Sequence, residues 1–320
     1  MRLFISSSSA RFLMLIAIIV AIATGLEAYC RKSPQYAPIT YFFLRHALES
    51  DPTNAVFGDS HVLTTSRIPD FSFYGWAGEQ PEEFETLVQY LYAHHTPKKI
   101  IVQADPQWFG EYHKTREKFI LPENLIDQRF PSVLTSRYYQ LSLKRNLLNS
   151  GEAIASGLLF PQPAAAETTA ELAGRAEKHW AELFSKPDFN WSWMPDDERG
   201  ILTWLRVQAQ NPRSGFETST SARAFENALS GLAQHGAEVC LFRTPVTRLY
   251  LETTARLPDT RYRDFDTYIV ALANRLHMKH VDFRSLPFDA SDAAFSNSDH
   301  LTDAKYDKLW PLAAKSCFDH

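Results

Sequence analysis

Short apolar runs alternate along the chain with segments of helical periodicity. Apolar residues at i, i+3, i+4 and i+7 predict amphipathic helices near residues 84–91 and 225–232. Thr302 is a suitable N-cap for a last helix running from Asp303 towards Cys317. This alternation predicts an α/β fold with a mostly parallel sheet and helices on both of its faces. The predicted strands are Ala55–Phe57, Lys99–Val102, Val239–Phe242 and His280–Phe283.

The first apolar run, residues 12–26, differs in kind because basic residues flank it on both sides. A spanning helix needs roughly 20 apolar residues and a cleaved signal about 7–15, so this run is intermediate in length. The bulky Leu26, where a cleavage site needs a small residue, favours an uncleaved anchor over a cleaved signal. We expect residues 1–35 to form a membrane anchor or signal segment with one transmembrane helix, and residues 36–320 to form one domain.

The middle of the chain, from about 114 to 221, breaks the rhythm of strands and helices. It holds a Pro/Ala-rich stretch, a charged helical segment and three tryptophans, Trp191, Trp193 and Trp204. We interpret it as a helical insertion on the α/β core. Because each indole buries a large apolar area, the tryptophans are better explained as core residues than as platforms for sugar rings.

Composition narrows the classes of function. The net charge is -4 and the pI is about 6.3, so the chain lacks the basic surplus of a nucleic-acid binder. The glycine-rich phosphate-binding motifs are absent from the sequence, and its three cysteines fit no zinc spacing. We therefore expect no nucleic-acid partner, no cofactor and no metal. Cys240 lies in an apolar run and suits simple burial, although a bridge to Cys317 in an oxidising compartment is an open alternative.

Two short blocks carry candidate catalytic residues. The predicted strand Ala55–Phe57 continues into a Gly-Asp-Ser turn, so Ser60 follows the carboxyl end of a strand, where α/β sheets bind ligands. Near the other end of the chain, the segment Asn-Ser-Asp-His-Leu-Thr places His300 directly before the last predicted helix. A histidine there can take the proton of a serine hydroxyl and return it to a leaving group. The two blocks together predict a nucleophile and its base.

These blocks resemble those of the SGNH/GDSL hydrolase superfamily, whose nucleophile follows the first strand and whose histidine lies near the C-terminus. More specifically, the sequence resembles the membrane-anchored branch that contains alginate and peptidoglycan O-acetyltransferases and the D-alanine transfer protein of teichoic acid assembly. The resemblance covers roughly residues 54–107 and 222–317 and leaves out the middle. It implies a three-layer, flavodoxin-like sheet, held at the inner membrane with its domain facing the periplasm or the cell exterior.

The resemblance also assigns an oxyanion hole. Gly78, in the segment Gly-Trp-Ala-Gly, matches the family's oxyanion glycine, and the backbone N–H groups of Ser60 and Gly78 would bind the anion. The family's asparagine falls near Asp105, which cannot donate a hydrogen bond when ionised. The two backbone N–H groups then serve without a side-chain donor, or the side chain of Gln103 or Gln107 supplies one.

The remaining site residues are open at this point. Asn297 stands where the family has aspartate, so Asn297, Asp299 or Asp292 could orient His300, or the site could be a Ser-His dyad. His61, beside the nucleophile, either lines a pocket together with Asp105 and Gln107 or faces solvent.

The leading hypothesis is a serine esterase or O-acyltransferase that modifies a cell-envelope glycan through an acyl-Ser60 intermediate. The resemblance implies an acyl-donor membrane protein and a glycan acceptor as partners. The alternative is a weakly active or inactive SGNH-like domain that binds glycan or a membrane partner in an envelope modification or export complex. Asn297 and Asp105 favour that alternative, because each departs from the family pattern.

Overall fold

A computed structural model of the protein describes residues 14–22, 24–25, 51–62, 68–75, 79–110, 168–186, 188–284 and 291–319. The described residues from 51 to 319 belong to one compact unit, and residues 14–22 and 24–25 belong to a second.

The described part of the second unit is helical and apolar. Met14, Ile19 and Ile22 each expose more than half of their surface. No helix within the described ranges is both long enough and apolar enough to cross a membrane. The transmembrane helix expected within residues 1–35 therefore stays a prediction.

Where the first unit is described, five parallel strands form a sheet in the order β2-β1-β3-β4-β5. The chain moves from β1 to one side for β2 and to the other side for β3, so the crossover direction reverses at the boundary between β1 and β3. Doubly wound sheets bind ligands in the crevice at such a reversal, outside the carboxyl ends of the strands. The strands are β1 Asn54–Gly58, β2 Phe71–Gly75, β3 Lys99–Gln103, β4 Glu238–Arg243 and β5 Lys279–Asp282.

The described residues of this unit form seven α-helices. Thr168 begins α2 with a capping box to Glu171, and the Ser219 side chain accepts a hydrogen bond from a first-turn amide of α4. The last helix begins after Thr302 as predicted, but the Thr302 side chain makes no capping hydrogen bond. The helices are α1 Pro81–His94, α2 Thr169–Phe184, α3 Asp196–Gln210, α4 Thr220–Gln234, α5 Arg248–Ala255, α6 Arg261–Arg275 and α7 Asp303–Phe318.

Alternate strand positions pack on opposite faces of the sheet. Phe57 of β1 packs on Phe84 of α1 with ring centroids 5.3 Å apart, and Phe84 packs on Phe225 of α4 at 5.8 Å. Phe242 of β4 packs on Trp310 of α7 at 5.5 Å. Helices therefore cover the sheet on both faces, and the predicted α/β class is confirmed.

The predicted insertion is described only in its second half, because residues 111–167 lie outside the described residues. That half forms α2 and α3. Trp191 is buried and shares a hydrophobic cluster with Trp310, as expected of a core residue. Trp193 and Trp204 are 47% and 46% exposed, so the core interpretation is wrong for these two.

A disulfide bond joins Cys240 of β4 to Cys317 of α7. Both cysteines are buried in the same hydrophobic cluster, which resolves the alternative that the sequence left open. The bond links positions 77 residues apart. In the chain-entropy view, a closure of that length removes much of the conformational freedom of the unfolded chain.

We expect reduction of this disulfide to lower the free energy of unfolding by roughly 4 kcal/mol, as loop closure of this size implies. Denaturant unfolding with and without a reductant measures the change. The variant in which both Cys240 and Cys317 are replaced by alanine is the control, since its stability should not respond to the reductant. Equal stability of the oxidised and fully reduced wild-type protein would contradict the expectation.

Candidate active site

Ser60 lies just beyond the carboxyl end of β1, next to the crevice between β1 and β3. The preceding Asp59 is buried, whereas Ser60 is partly exposed. A Cβ atom on Gly58 would collide with the side chains of Gln103 and Val62, so the exit from the strand needs glycine. The Gly-Asp-Ser turn thus passes close to β3 and places the serine hydroxyl at the carboxyl ends of the strands.

His300 lies on a tight loop before α7. Phe295 and Leu301 form an isolated antiparallel bridge, and the backbone N–H of Ser296 donates to the carbonyl of His300 at 2.8 Å. Trp180 of α2 donates its indole N–H to the carbonyl of Ser296 at 3.0 Å. The loop is therefore fixed in two ways, by the hydrogen bond from α2 and by the bridge between its own ends.

The two candidate catalytic residues meet across 240 residues of sequence. His300 Nε2 lies 2.8 Å from Ser60 Oγ. Nδ1 lies 3.2 Å from Asn297 Oδ1 and 3.2 Å from Asp299 Oδ1, both of which accept hydrogen bonds. Arg206 Nη2, a donor, also lies 3.2 Å from Nδ1, but the two oxygen acceptors outnumber it. We therefore assign the proton to Nδ1, which leaves Nε2 free to accept the Ser60 hydroxyl.

Two residues compete to orient His300, and their surroundings differ. Asn297 Oδ1 already accepts the backbone N–H groups of Asp299 at 3.0 Å and of His300 at 2.8 Å, so it stabilises the turn. The Asp299 carboxylate is buried. Each of its oxygens accepts a hydrogen bond from Arg206 Nε at 3.1 Å, and Oδ2 also accepts one from Gln210 Nε2 at 2.7 Å. Burial raises the pKa of Asp299, but the charges of Arg206 and His300 outweigh it and hold that pKa well below its usual range.

Asp299 is therefore an ionised carboxylate beside the imidazole, and a carboxylate stabilises an imidazolium better than a neutral amide does. The third candidate, Asp292, forms an ion pair with Arg199. The geometry favours Asp299 as the charged partner of His300 and Asn297 as the residue that shapes the loop.

His61 lies inside the site, and its ring is stacked on that of His300. The ring centroids are 4.0 Å apart with an interplanar angle of 17°, and His61 is buried. Its Nδ1 lies 2.7 Å from Asp59 Oδ1, and its Nε2 lies 3.4 Å from Asp299 Oδ2. The solvent-facing alternative for His61 is wrong.

The carboxylates around His61 fix its charge. Burial lowers its pKa, but the negative charges of Asp59 and Asp299 outweigh burial and raise the pKa of His61 to about 10. For His300, burial and the neighbouring positive charge of His61 lower the pKa to about 4, against the opposing effect of Asp299. His61 is thus the charged imidazole at neutral pH, and His300 is the neutral one that can act as a base.

We expect the acid limb of the kcat/KM profile for ester cleavage to lie at low pH. The neutral, base-competent form of His300 is present above its pKa and is lost as the pH falls through about 4. Replacing His61 with glutamine removes the positive charge, so the limb should move up towards the ordinary histidine value of 6.5. Rates measured from pH 3.5 to 8 test this, with the exposed His94→Gln variant as control. An unmoved limb in His61→Gln would show that His61 does not set it.

Gln103, the last residue of β3, and Gln107, just after it, contact the Asp59–His61 pair. Gln103 Oε1 accepts the backbone N–H of Asp59 at 2.9 Å, and Gln103 Nε2 donates to Asp105 Oδ2 at 2.8 Å. Gln107 Nε2 donates to Asp59 Oδ2 at 3.1 Å. Both ends of the Gln103 amide are thereby engaged. The expected role of Gln103 in the oxyanion hole stays a prediction. The same holds for Gly78, which lies outside the described residues.

Asp105 is bound by partners of its own. Its Oδ2 accepts a hydrogen bond from Thr244 Oγ1 at 2.6 Å, and its Oδ1 lies 3.2 Å from Arg243 Nε. Burial raises the pKa of Asp105, with Arg243 acting in the opposite direction. Together with His61 and Gln107 it lines a small cavity of about 20 Å³. That volume suits roughly one water molecule, so these three residues do not line a substrate-sized pocket.

Arg206 and Gln210 are the site residues that sequence reasoning missed. They lie four residues apart on α3, so both side chains project from one face of the helix and reach Asp299. The i, i+4 spacing of two polar side chains was visible in the sequence. Without the packing of α3 on the His300 loop, nothing connected that spacing to the site.

Comparisons with known proteins add little to this geometry. The chain matches no protein-family model and no curated protein. A solved structure from Streptococcus pneumonia, provisionally described as a platelet activating factor, is 12% identical to it with a TM-score of 0.37. That alignment covers 96% of this chain and 99% of the other.

Proposed function

We propose that the protein is a serine esterase or O-acyltransferase that works through an acyl-Ser60 intermediate. The observation that carries this proposal is the 2.8 Å contact between Ser60 Oγ and His300 Nε2, with an ionised carboxylate on the other side of the imidazole. A serine hydroxyl is a weak nucleophile at neutral pH unless such a base is within hydrogen-bond reach.

The arrangement supports a two-step reaction. Ser60 Oγ attacks the ester carbonyl while its proton passes to His300 Nε2, and Asp299 stabilises the imidazolium that forms. The bond to the leaving alcohol then breaks, and the alcohol oxygen takes the proton from His300. In the second step water or an acceptor alcohol gives its proton to His300 and attacks the acyl carbon. The bond from that carbon to Ser60 Oγ then breaks, and His300 returns the proton to Oγ, which restores both residues. Whether water or an alcohol accepts the acyl group decides between esterase and transferase.

The proposal also covers where the protein is located and which molecule accepts the acyl group. A buried disulfide supports a domain outside the cytoplasm, because disulfides persist in oxidising compartments. The exposed apolar side chains of residues 14–22 support tethering to a membrane. Retention of the intact chain in carbonate-washed membranes tests the tether. A cell-envelope glycan as acceptor, and an SGNH-type classification, rest on the resemblance of the two sequence blocks.

A fluorophosphonate probe tests the proposed chemistry directly, because covalent labelling needs an activated hydroxyl. We expect one label on Ser60, located by peptide mass spectrometry, and none in Ser60→Ala. Labelling should be much slower in His300→Ala and absent from urea-unfolded protein. A folded wild-type protein that takes up no label would reject the enzyme and favour a non-catalytic binding domain.

A further inference from the structure

Buried side chains form a hydrogen-bonded chain that runs from α5 to the carboxylate of Asp299. The Tyr250 hydroxyl of α5 donates to Gln210 Oε1 at 2.6 Å, and Gln210 Nε2 donates to Asp299 Oδ2 at 2.7 Å. Tyr250 and Gln210 are each 5% exposed, and Asp299 is 2% exposed. The chain therefore joins a tyrosine outside the Ser60–His300 pair to the charged partner of His300.

Both ends of the Gln210 amide are engaged in this chain. The Tyr250 hydroxyl keeps its proton, because burial and the neighbouring Tyr262 and Asp299 raise the pKa of Tyr250 well above its usual value. That proton is directed at Gln210 Oε1, and the other end of the amide, which carries the N–H donors, faces Asp299. A phenylalanine in place of Tyr250 would leave a buried carbonyl oxygen without a partner, and such an arrangement is unstable unless the side chain moves.

Tyr262 of α6 contacts the Tyr250 hydroxyl on its other side. The two hydroxyl oxygens are 2.9 Å apart, and Tyr262 Oη also lies 3.1 Å from the carbonyl oxygen of Val207 on α3. Because the single proton of Tyr250 goes to Gln210 at the shorter distance, the proton of Tyr262 is directed at Tyr250 or at Val207. In both cases the Tyr250 hydroxyl is held between α3 and α6.

The helix that carries Tyr250 is also hydrogen-bonded to the loop of His300. Thr247, the N-cap of α5, donates both its backbone N–H and its hydroxyl to the Ser298 carbonyl, each at 3.0 Å. Thr247 Oγ1 accepts the backbone N–H of Tyr250 at 3.2 Å. Since Ser298 directly precedes Asp299, the backbone contact and the side-chain chain together hold α5 against the carboxylate.

Gln210 distinguishes the two oxygens of Asp299. Arg206 Nε is 3.1 Å from both, so it does not select one orientation of the carboxylate. Gln210 Nε2 contacts Oδ2, which also lies 3.4 Å from His61 Nε2, whereas Oδ1 lies 3.2 Å from His300 Nδ1. A rotation about the Cβ–Cγ bond that broke the Gln210 contact would therefore carry Oδ1 away from the imidazole.

We propose that Tyr250 is a positioning residue for the base. It acts through Gln210, whose amide holds the Asp299 carboxylate in the orientation that keeps Oδ1 on His300 Nδ1. The effect is exerted as the imidazolium forms, because the carboxylate stabilises that charge. This inference rests on the proposed function.

Tyr250→Phe tests the inference, because it removes one hydroxyl and leaves the ring. We expect kcat and kcat/KM on p-nitrophenyl acetate to fall together by about fivefold, since a hydrogen bond that supports the transition state is lost. Tyr92→Phe is the matched control and should keep the wild-type kcat. The Tyr92 hydroxyl donates to the Pro97 carbonyl at 2.8 Å, just before the amino end of β3 and thus at the opposite end of the sheet from Ser60.

The dependence on Gln210 gives a readout that a general loss of stability would not produce. Gln210→Met should lower kcat by about tenfold or more, because it removes a hydrogen bond to a charged group. Tyr250→Phe/Gln210→Met should be no slower than Gln210→Met, since Tyr250 then has no amide to hold. Wild-type kcat in folded Tyr250→Phe, or losses that multiply in the double variant, would overturn the inference.

Hydrogen exchange separates this inference from the proposed function. The side-chain amide signals of Gln210 are identified by NMR as those missing from Gln210→Met. Their exchange with solvent should be about fivefold or more faster in Tyr250→Phe than in the wild type, and unchanged in Tyr92→Phe. An unchanged rate in Tyr250→Phe overturns the inference even where the fluorophosphonate labels Ser60. Faster exchange in a protein whose Ser60 takes up no label would support the chain and place the failure in the proposed chemistry.

Discussion

Replacing Ser60 or His300 with alanine should lower ester turnover by about a thousandfold or more, as loss of either member of such a pair does in serine hydrolases. The 2.8 Å contact makes the two side chains one proton-transfer unit, so the double variant should be no slower than the worse single variant. Initial rates on p-nitrophenyl acetate, corrected for spontaneous hydrolysis, provide the measurement.

The exposed His94→Ala variant is the control for replacement of a histidine as such. Because His300 stacks on His61, its removal can disturb packing, so His300→Gln should accompany it and the thermal midpoint of each variant should be recorded. Wild-type rates in folded Ser60→Ala would reject Ser60 as the nucleophile.

Asp299→Asn should lower kcat by about a hundredfold or more, by analogy with the roughly ten-thousandfold loss for the equivalent triad change. The structure adds a specific reason. Arg206 Nη2 lies 3.2 Å from His300 Nδ1, and without the carboxylate its charge would oppose formation of the imidazolium. Asp292→Asn should have little effect, because Asp292 pairs with Arg199 and not with His300.

A second change at Arg206 tests that explanation. In Asp299→Asn/Arg206→Met the opposing charge is gone, so part of the lost turnover should return, together with a change in the pH profile. Asn297→Asp is the competing variant. If it raises turnover while Asp299→Asn leaves turnover unchanged, Asn297 occupies the orienting position. If neither matters and Ser60→Ala still abolishes activity, the site works as a Ser-His dyad.

Apolar runs were sufficient to predict four of the five strands, because buried parallel strands are nearly continuous in apolar residues. Strand β2, Phe71–Gly75, was missed because its first two residues are only partly buried and its pattern is short. The position of Ser60 could be predicted from its neighbours in sequence, because a polar turn directly after a buried strand lies at the carboxyl end of that strand. The placement of His300 came from its position before the last helix.

The partners of these residues could not be predicted, because they depend on tertiary packing. His61 follows Ser60 directly, and sequence adjacency does not determine whether its ring turns to solvent or onto His300. Arg206 reaches Asp299 only because α3 packs against a loop 93 residues further along the chain. Long-range contacts of this kind leave no local periodicity in the sequence.

The separation of Ser60 and His300 has a consequence for the order in which the site is assembled during biosynthesis. Since chains emerge from the ribosome N-terminus first, the nucleophile is synthesised long before its base. His300 is synthesised shortly before α7. That helix packs Trp310 on Phe242 of the sheet and is joined to β4 by the disulfide. A nascent or truncated chain that ends before residue 300 therefore has a serine without a base and a sheet face without its covering helix. The proposed acyl chemistry therefore cannot begin until the chain is nearly finished.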